Sequence, residues 1–237
     1  MSLINIDAQT LTWALLGGIL PSLLWLWFWL KEDAKHPEPK RLIAAAFLAG
    51  AIAVPIAFFA EKISLSLLGT GFLVVIIWAA IEELLKYGGA YIVAFRGICL
   101  DRSRCVDEPV DPLIYMITVA LGFAALENTL FLINPILGGD AASGVLTGNL
   151  RFIGATLLHV VASGAIGLSK SLSFYKNNLV KKMYFFVGIT TAIGLHVLFN
   201  FSIIISEGEN IFFIFGVLWL FVGALLLAFE RVKRLKP

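Results

Sequence analysis

Seven continuous apolar stretches recur along this chain, at roughly 11–30, 41–60, 71–95, 112–134, 150–170, 183–205 and 210–229. A helix needs about 20 mostly apolar residues to cross the hydrocarbon core of a bilayer. None of the stretches alternates polar and apolar residues as a barrel strand would. Backbone groups in lipid must also be satisfied within the segment, so each stretch reads as a helix. The expected fold is all-α: a polytopic membrane bundle of about seven transmembrane helices, forming a single integral membrane domain over residues 1–237. No intervening segment is long enough for a soluble domain. The composition agrees, with 59% hydrophobic and 14% charged residues and a mean hydropathy of +0.92. Soluble domains carry about 25% charged residues. A water-soluble globule and a disordered tail are therefore excluded, and a net charge of +2 leaves no basic field for nucleic acid.

The N-terminal segment before residue 11 holds no Lys or Arg. The first span is also long for a signal-peptide core, so it reads as retained. Basic residues set the orientation. Lys31, Lys35, Lys40 and Arg41 follow span 1, and Arg96, Arg102 and Arg104 follow span 3. Lys170, Lys176, Lys181 and Lys182 follow span 5, and Arg231, Lys233, Arg234 and Lys236 form the tail. These put 15 of the 18 basic residues on one side, against only Lys62 and Arg151 on the other. The expectation is an outside N-terminus and a cytoplasmic C-terminus, in a multi-pass protein of the cell membrane. Cys99 and Cys105 then share a reducing cytoplasmic loop, where no structural disulfide is expected and no further zinc ligands stand nearby. The sequon at Asn200 lies inside span 6, out of reach of glycosylation.

What remains is a small set of ionisable groups at membrane depth: Glu82, Glu83 and Lys86 in span 3, Glu127 in span 4, His159 in span 5 and His196 in span 6. Each of Asp, Lys or Arg costs about 2.5–3.5 kcal/mol at a helix centre, and such residues are kept where they are buried and used. At a rise of about 1.5 Å per residue, Glu82, Glu127 and His196 lie roughly 20–23 Å from the cytoplasmic ends of their spans, and His159 roughly 16 Å. Four helices thus bring polar groups to one layer. Glu82 and Lys86 share a face at i,i+4, as do Phe123 and Glu127, and His196 and Asn200. Ala155, His159 and Ser163 form a face of small residues that permits close helix approach. A single Glu–Lys pair can be a neutralised bridge, and a single membrane histidine can be a helix–helix hydrogen-bond partner. Carboxylates and imidazoles converging at one depth from four helices point instead to a reaction centre. The third histidine, His36, falls in a charged loop and reads as solvated.

At these residues the sequence resembles the PrsW family of membrane proteases. Glu82 to Lys86 reads E-E-x-x-K, Phe123 to Asn128 reads F-x-x-x-E-N, His159 stands on a helix of small residues, and His196 to Asn200 reads H-x-x-x-N. The ordered set covers about residues 75–205. The family is grouped with the type II CAAX prenyl proteases, from which this chain departs: Lys86 replaces an arginine one place later, and Glu127 stands where that branch has histidine. The resemblance implies an intramembrane endopeptidase whose partner is a single-span membrane protein, such as an anti-sigma factor cut near the outer side of the membrane. It implies catalytic roles for Glu82, Glu83, Glu127, His159, His196 and Asn200, with Lys86, Phe123 and Asn128 in support.

Amide hydrolysis needs an activated water, a donor for the oxyanion and a proton for the leaving amine. In the preferred version no cofactor is required. Glu82 or Glu83 deprotonates water, Lys86 keeps one of the pair ionised, His196 and Asn200 face the oxyanion, and Glu127 and His159 move the proton. In the other version Glu127, His159 and His196 hold zinc, a known catalytic donor set, and a span-3 glutamate is the base. The glycine-rich segment Pro135–Asn149 is read as a substrate gate or a slack connector. An ion- or proton-coupled transporter would also bury Glu, Lys and His, but no inverted repeat is present. A non-catalytic scaffold subunit is the remaining alternative.

Overall fold

The computed structural model describes residues 8–33, 37–95, 106–137, 150–206 and 209–237, apart from the side chains of residues 134, 135, 151 and 153. His36, Cys99, Cys105 and nearly all of the expected gate segment lie outside the described residues. Within them the chain is helical, with no strand. Seven long helices follow one another: α1 (Ala8–Glu32), α2 (Lys40–Leu68), α3 (Phe72–Ala90), α4 (Asp111–Leu137), α5 (Thr156–Leu172), α6 (Asn178–Ile205) and α7 (Ile211–Val232). A π-helical turn, Tyr91–Phe95, continues α3, and another, Arg151–Ala155, leads into α5. By length and composition, α1, α2, α4, α6 and α7 could each cross a membrane. Helix α3 carries three charges, and α5 is 17 residues long as a regular α-helix.

Helix α4 is the axis of the bundle. It packs against α1, α2, α3 and α5, and every residue from Val110 to Ala125 is buried. An amphipathic stripe cannot surround a helix on all sides, and α4 accordingly has none: Leu113, Ile114, Met116, Ile117, Val119 and Leu121 are apolar all the way round and fully buried. Close approach to α2 depends on two glycines. A methyl group placed on Gly50 would lie 1.9 Å from the Val119 carbonyl oxygen, and one on Gly122 would lie 1.9 Å from the Phe47 carbonyl oxygen. With no Cβ at either position, the two backbones interlock. This contact seats Phe123 of α4 among Ala53, Val54 and Ala57 of α2.

Helices α2 and α3 form a hairpin closed by three residues. Gly69 takes φ 71°, a left-handed conformation that favours glycine. Within the hairpin, Trp78 Nε1 donates to Ser64 Oγ at 2.9 Å, and Ser64 Oγ donates to the Glu61 carbonyl at 2.8 Å. Helix α6 begins at Asn177, whose side chain accepts the Val180 N–H at 3.0 Å as an N-cap. The far end of α6 returns beside the start of α3, where the Phe72 and Phe201 rings lie 4.6 Å apart.

At the other end of the bundle, the loop before α2 is tied to α4. Tyr115 donates a hydrogen bond to the Glu38 carboxyl, and Asp111 Oδ2 accepts the backbone N–H groups of Asp107 and Glu108 at 2.8 and 2.7 Å. Burial pushes the Glu38 carboxyl up to about 9, against the opposing hydrogen bond from Tyr115.

Candidate active site

The polar groups of α3, α4, α5 and α6 meet in one cluster beneath the α2–α3 turn. The anchor is Glu83, whose side chain is fully buried. Its Oε1 accepts from Lys86 Nζ at 2.6 Å and lies 2.9 Å from His196 Nδ1, while its Oε2 accepts from Ser163 Oγ at 2.7 Å. One carboxylate thereby ties α3 to α5 and α6. A buried carboxylate without such partners would carry the full cost of desolvation. Lys86 is also fully buried, with its ammonium 4.6 Å from the Phe123 ring centre, a cation–π contact.

The hydrogen bonds fix how each imidazole faces. A carboxylate only accepts, so His196 carries its proton on Nδ1, toward Glu83. Its Nε2 lies 3.7 Å from Glu82 Oε2. His159 is arranged the other way round. Its Nε2 lies 3.0 Å from Glu127 Oε2 and donates to it, while Nδ1 lies 3.8 Å from the same Glu82 oxygen and 2.9 Å from Lys86 Nζ. The two rings stand edge to face with centres 5.3 Å apart. Two ring nitrogens and one carboxylate oxygen thus face a common point. The donor atoms of Glu82, His159 and His196 lie within 4.8 Å of one another.

This donor set fits a divalent metal. Two histidines and a glutamate form a known catalytic zinc arrangement, and each imidazole donates its other nitrogen to a carboxylate, as metal-bound histidines do. The carboxylate that completes the set is Glu82. Glu127, which the sequence suggested for that place, instead stands behind His159 on the far side of its ring. One neighbour occupies the same space: Lys86 Nζ is 2.9 Å from His159 Nδ1 and 3.5 Å from Glu82 Oε2.

The other residues singled out from the sequence fall nearby, with different surroundings. Phe123 packs between Lys86 and His159, its ring centre 5.3 Å from that of His159. Asn128 Nδ2 donates to Thr156 Oγ1 at 2.9 Å, joining α4 to α5. Asn200 lies one turn beyond His196 and is half-buried. Ser163, noted only as a small residue on the His159 face, turns out to be a direct ligand of Glu83. Its i,i+4 spacing from His159 was the available signal. Glu61 of α2 lies within electrostatic range of Glu82, Glu127 and His196. It escaped the sequence reading because its span was taken to end at residue 60.

Comparison with known proteins agrees with this geometry. The model of the PrsW family intramembrane metalloproteases matches residues 38–227. Protease PrsW of Geobacillus kaustophilus (strain HTA426) is 31% identical over 157 residues, covering 64% of this chain and 62% of that protein. The chain thus matches somewhat less than two thirds of its relative's length. No solved structure matches. The matched region spans most of the chain and holds every member of the buried polar cluster, and on that basis the chain belongs to the PrsW family of intramembrane metalloproteases.

Proposed function

We propose that this protein is a multi-pass endopeptidase of the cell membrane that hydrolyses a peptide bond in a single-span membrane protein, where Glu82, His159 and His196 converge. The observation that carries this reading is the pair of oppositely oriented imidazoles, each backed by a carboxylate and each turning its second nitrogen toward Glu82. A transporter or scaffold gives no reason for that arrangement. An anti-sigma factor cut near the outer face is the substrate class implied by the family resemblance. In this reading all seven helices cross the bilayer, with the N-terminus outside and the C-terminus in the cytoplasm. With their π-turns, α3 and α5 run over 72–95 and 151–172. At about 1.5 Å per residue both exceed a core of about 30 Å.

The burial pattern divides the work among the carboxylates. Glu83 is enclosed and engaged on both oxygens, so it holds Lys86, His196 and Ser163 in place rather than meeting water. The Glu82 side chain is 10% exposed and that of Glu127 is 22% exposed, so these two can reach water and substrate. Glu82 takes the proton of the attacking water. That proton then passes to the leaving amine by way of His159, whose ring Glu127 holds in place. His196 and Asn200, on one face of α6, stand toward the oxyanion.

A divalent ion such as zinc, held by Glu82, His159 and His196, would polarise the carbonyl and acidify a bound water. Glu82 would then be a ligand, leaving Glu127 as the most open carboxylate to accept the water's proton. The metal-free version is favoured by one contact, the Lys86 ammonium on His159 Nδ1. Elemental mass spectrometry of the purified protein separates the two. Stoichiometric zinc, removed by chelator with loss of activity and restored with it, sinks the metal-free version. Activity at full rate without metal sinks the other. The peptidase reading itself is tested by co-expressing a single-span substrate with Glu82→Ala, His159→Ala and His196→Ala. Each variant should reach the membrane folded and leave the substrate uncut, and cleavage by all three would overturn the assignment.

A further inference from the structure

Glu61 is a carboxylate that neither the motifs nor the mechanism above uses. The hairpin register brings it to the site. Ser64 of α2 touches Trp78 of α3. Glu61 lies three residues from Ser64 toward the middle of the bundle, and Glu82 lies four residues from Trp78 in the same direction. At about 1.5 Å per residue, the two carboxylates stand within one helical turn of the same depth. The face of α2 agrees: Ala53, Ala57 and Glu61 follow one another at i,i+4, and the first two pack on Phe123, whose own i+4 neighbour is Glu127.

Glu61 differs from the other carboxylates of the site in one respect. Its side chain has no hydrogen-bond or ion-pair partner among the described residues, whereas Glu83 and Glu127 are each committed to a histidine. It is half-buried, at the open margin of a cluster holding three further carboxylates and one lysine. It therefore stands where a residue flanking the bond held at Glu82 can reach it.

We propose that Glu61 is a specificity-determining residue, whose carboxylate receives a Lys or Arg side chain of the substrate next to the scissile bond. This rests on the peptidase reading. A cationic side chain at that point gains a charged partner at the edge of the lipid, and an acidic one meets Glu61, Glu82 and Glu127 together. The preference is one of charge, so it should reverse when the charge is reversed.

The test uses the full-length protein in proteoliposomes and three single-span substrates that differ only in Lys, Gln or Glu beside the cut. The readout is the ratio of kcat/KM values among them. The native protein should favour Lys over Glu by about tenfold or more, the factor that ~1.4 kcal/mol represents. Glu61→Gln should bring the ratio near one, and Glu61→Lys should invert it. An unchanged ratio in Glu61→Gln overturns the inference even if Glu61→Lys does not fold, as does a native protein that cuts all three equally. A native protein that cuts none of them overturns the peptidase reading itself.

Discussion

Adjacent glutamates in one motif should fail in different ways when removed, and Glu83→Ala is the informative perturbation. It strips acceptors from Lys86 (2.6 Å), His196 (2.9 Å) and Ser163 (2.7 Å), all inside the bundle. Lys86 keeps one carboxylate, Glu82 at 3.5 Å, beside the neutral His159 ring at 2.9 Å. Removing one partner of a buried ion pair costs about 3–5 kcal/mol, because the other charge is left unpaired. For a chain of this size each kcal/mol moves Tm by about 2–4 °C, so the variant should melt roughly 6–20 °C below the native protein. Glu82→Ala removes only long contacts of 3.5–3.8 Å and leaves Lys86 and His196 on Glu83, so about 1 kcal/mol is expected. Replacing both members of the tight pair, as Glu83→Leu with Lys86→Met, should regain more than half of the Glu83→Ala loss, since no buried charge is then stranded. Thermal unfolding in detergent, followed by the fluorescence of the six tryptophans, reads all of these. The reasoning is refuted if Glu83→Ala melts with the native protein, or if Glu82→Ala costs as much as Glu83→Ala.

The other expectations concern the scaffold. A Glu38 carboxyl held near 9 in the fold, against 4.5 when unperturbed, binds its proton more tightly folded than unfolded. Stability should therefore fall as pH rises from about 4.5 through about 9, and Glu38→Gln should flatten that slope in pH-dependent melting curves. Gly50→Ala drives a methyl group into the Val119 carbonyl and should cost about 1–3 kcal/mol by overpacking. It should lower activity as well, because the same contact seats Phe123 under Lys86. Asn128→Ala breaks the tie from α4 to Thr156 and should cost about 1 kcal/mol, with a smaller loss of turnover than Glu127→Ala.

Among the described residues the hydropathy pattern located every long helix, because thickness in lipid translates into a count of apolar residues. It was poorest where helices outrun their apolar stretches. Helix α2 continues through Glu61, Lys62 and Ser64 to Leu68, and α6 starts at Asn178 rather than 183. Polar residues there read as loop, and Glu61 was lost with them. Depth along each helix follows from counting residues, so the layer containing Glu82, Glu127, His159 and His196 was legible before any coordinates. Azimuth between helices was not. Glu82 and Glu83 are about 100° apart on α3, and only packing shows that Glu83 is enclosed while Glu82 faces both imidazoles. The same uncertainty put Glu127 in the metal set, because spacing along one helix does not say which ring nitrogen a residue on another helix will meet.

The central claim is that Glu82 and the two histidines form a hydrolytic centre within the bundle. The most direct measurement is to reconstitute the purified protein with a single-span substrate in proteoliposomes and sequence the products by mass spectrometry. The native protein should generate one new N-terminus at the depth of Glu82. Glu82→Gln and His196→Ala should generate none while keeping native elution and melting. Cleavage at the same bond by both folded variants would contradict the account.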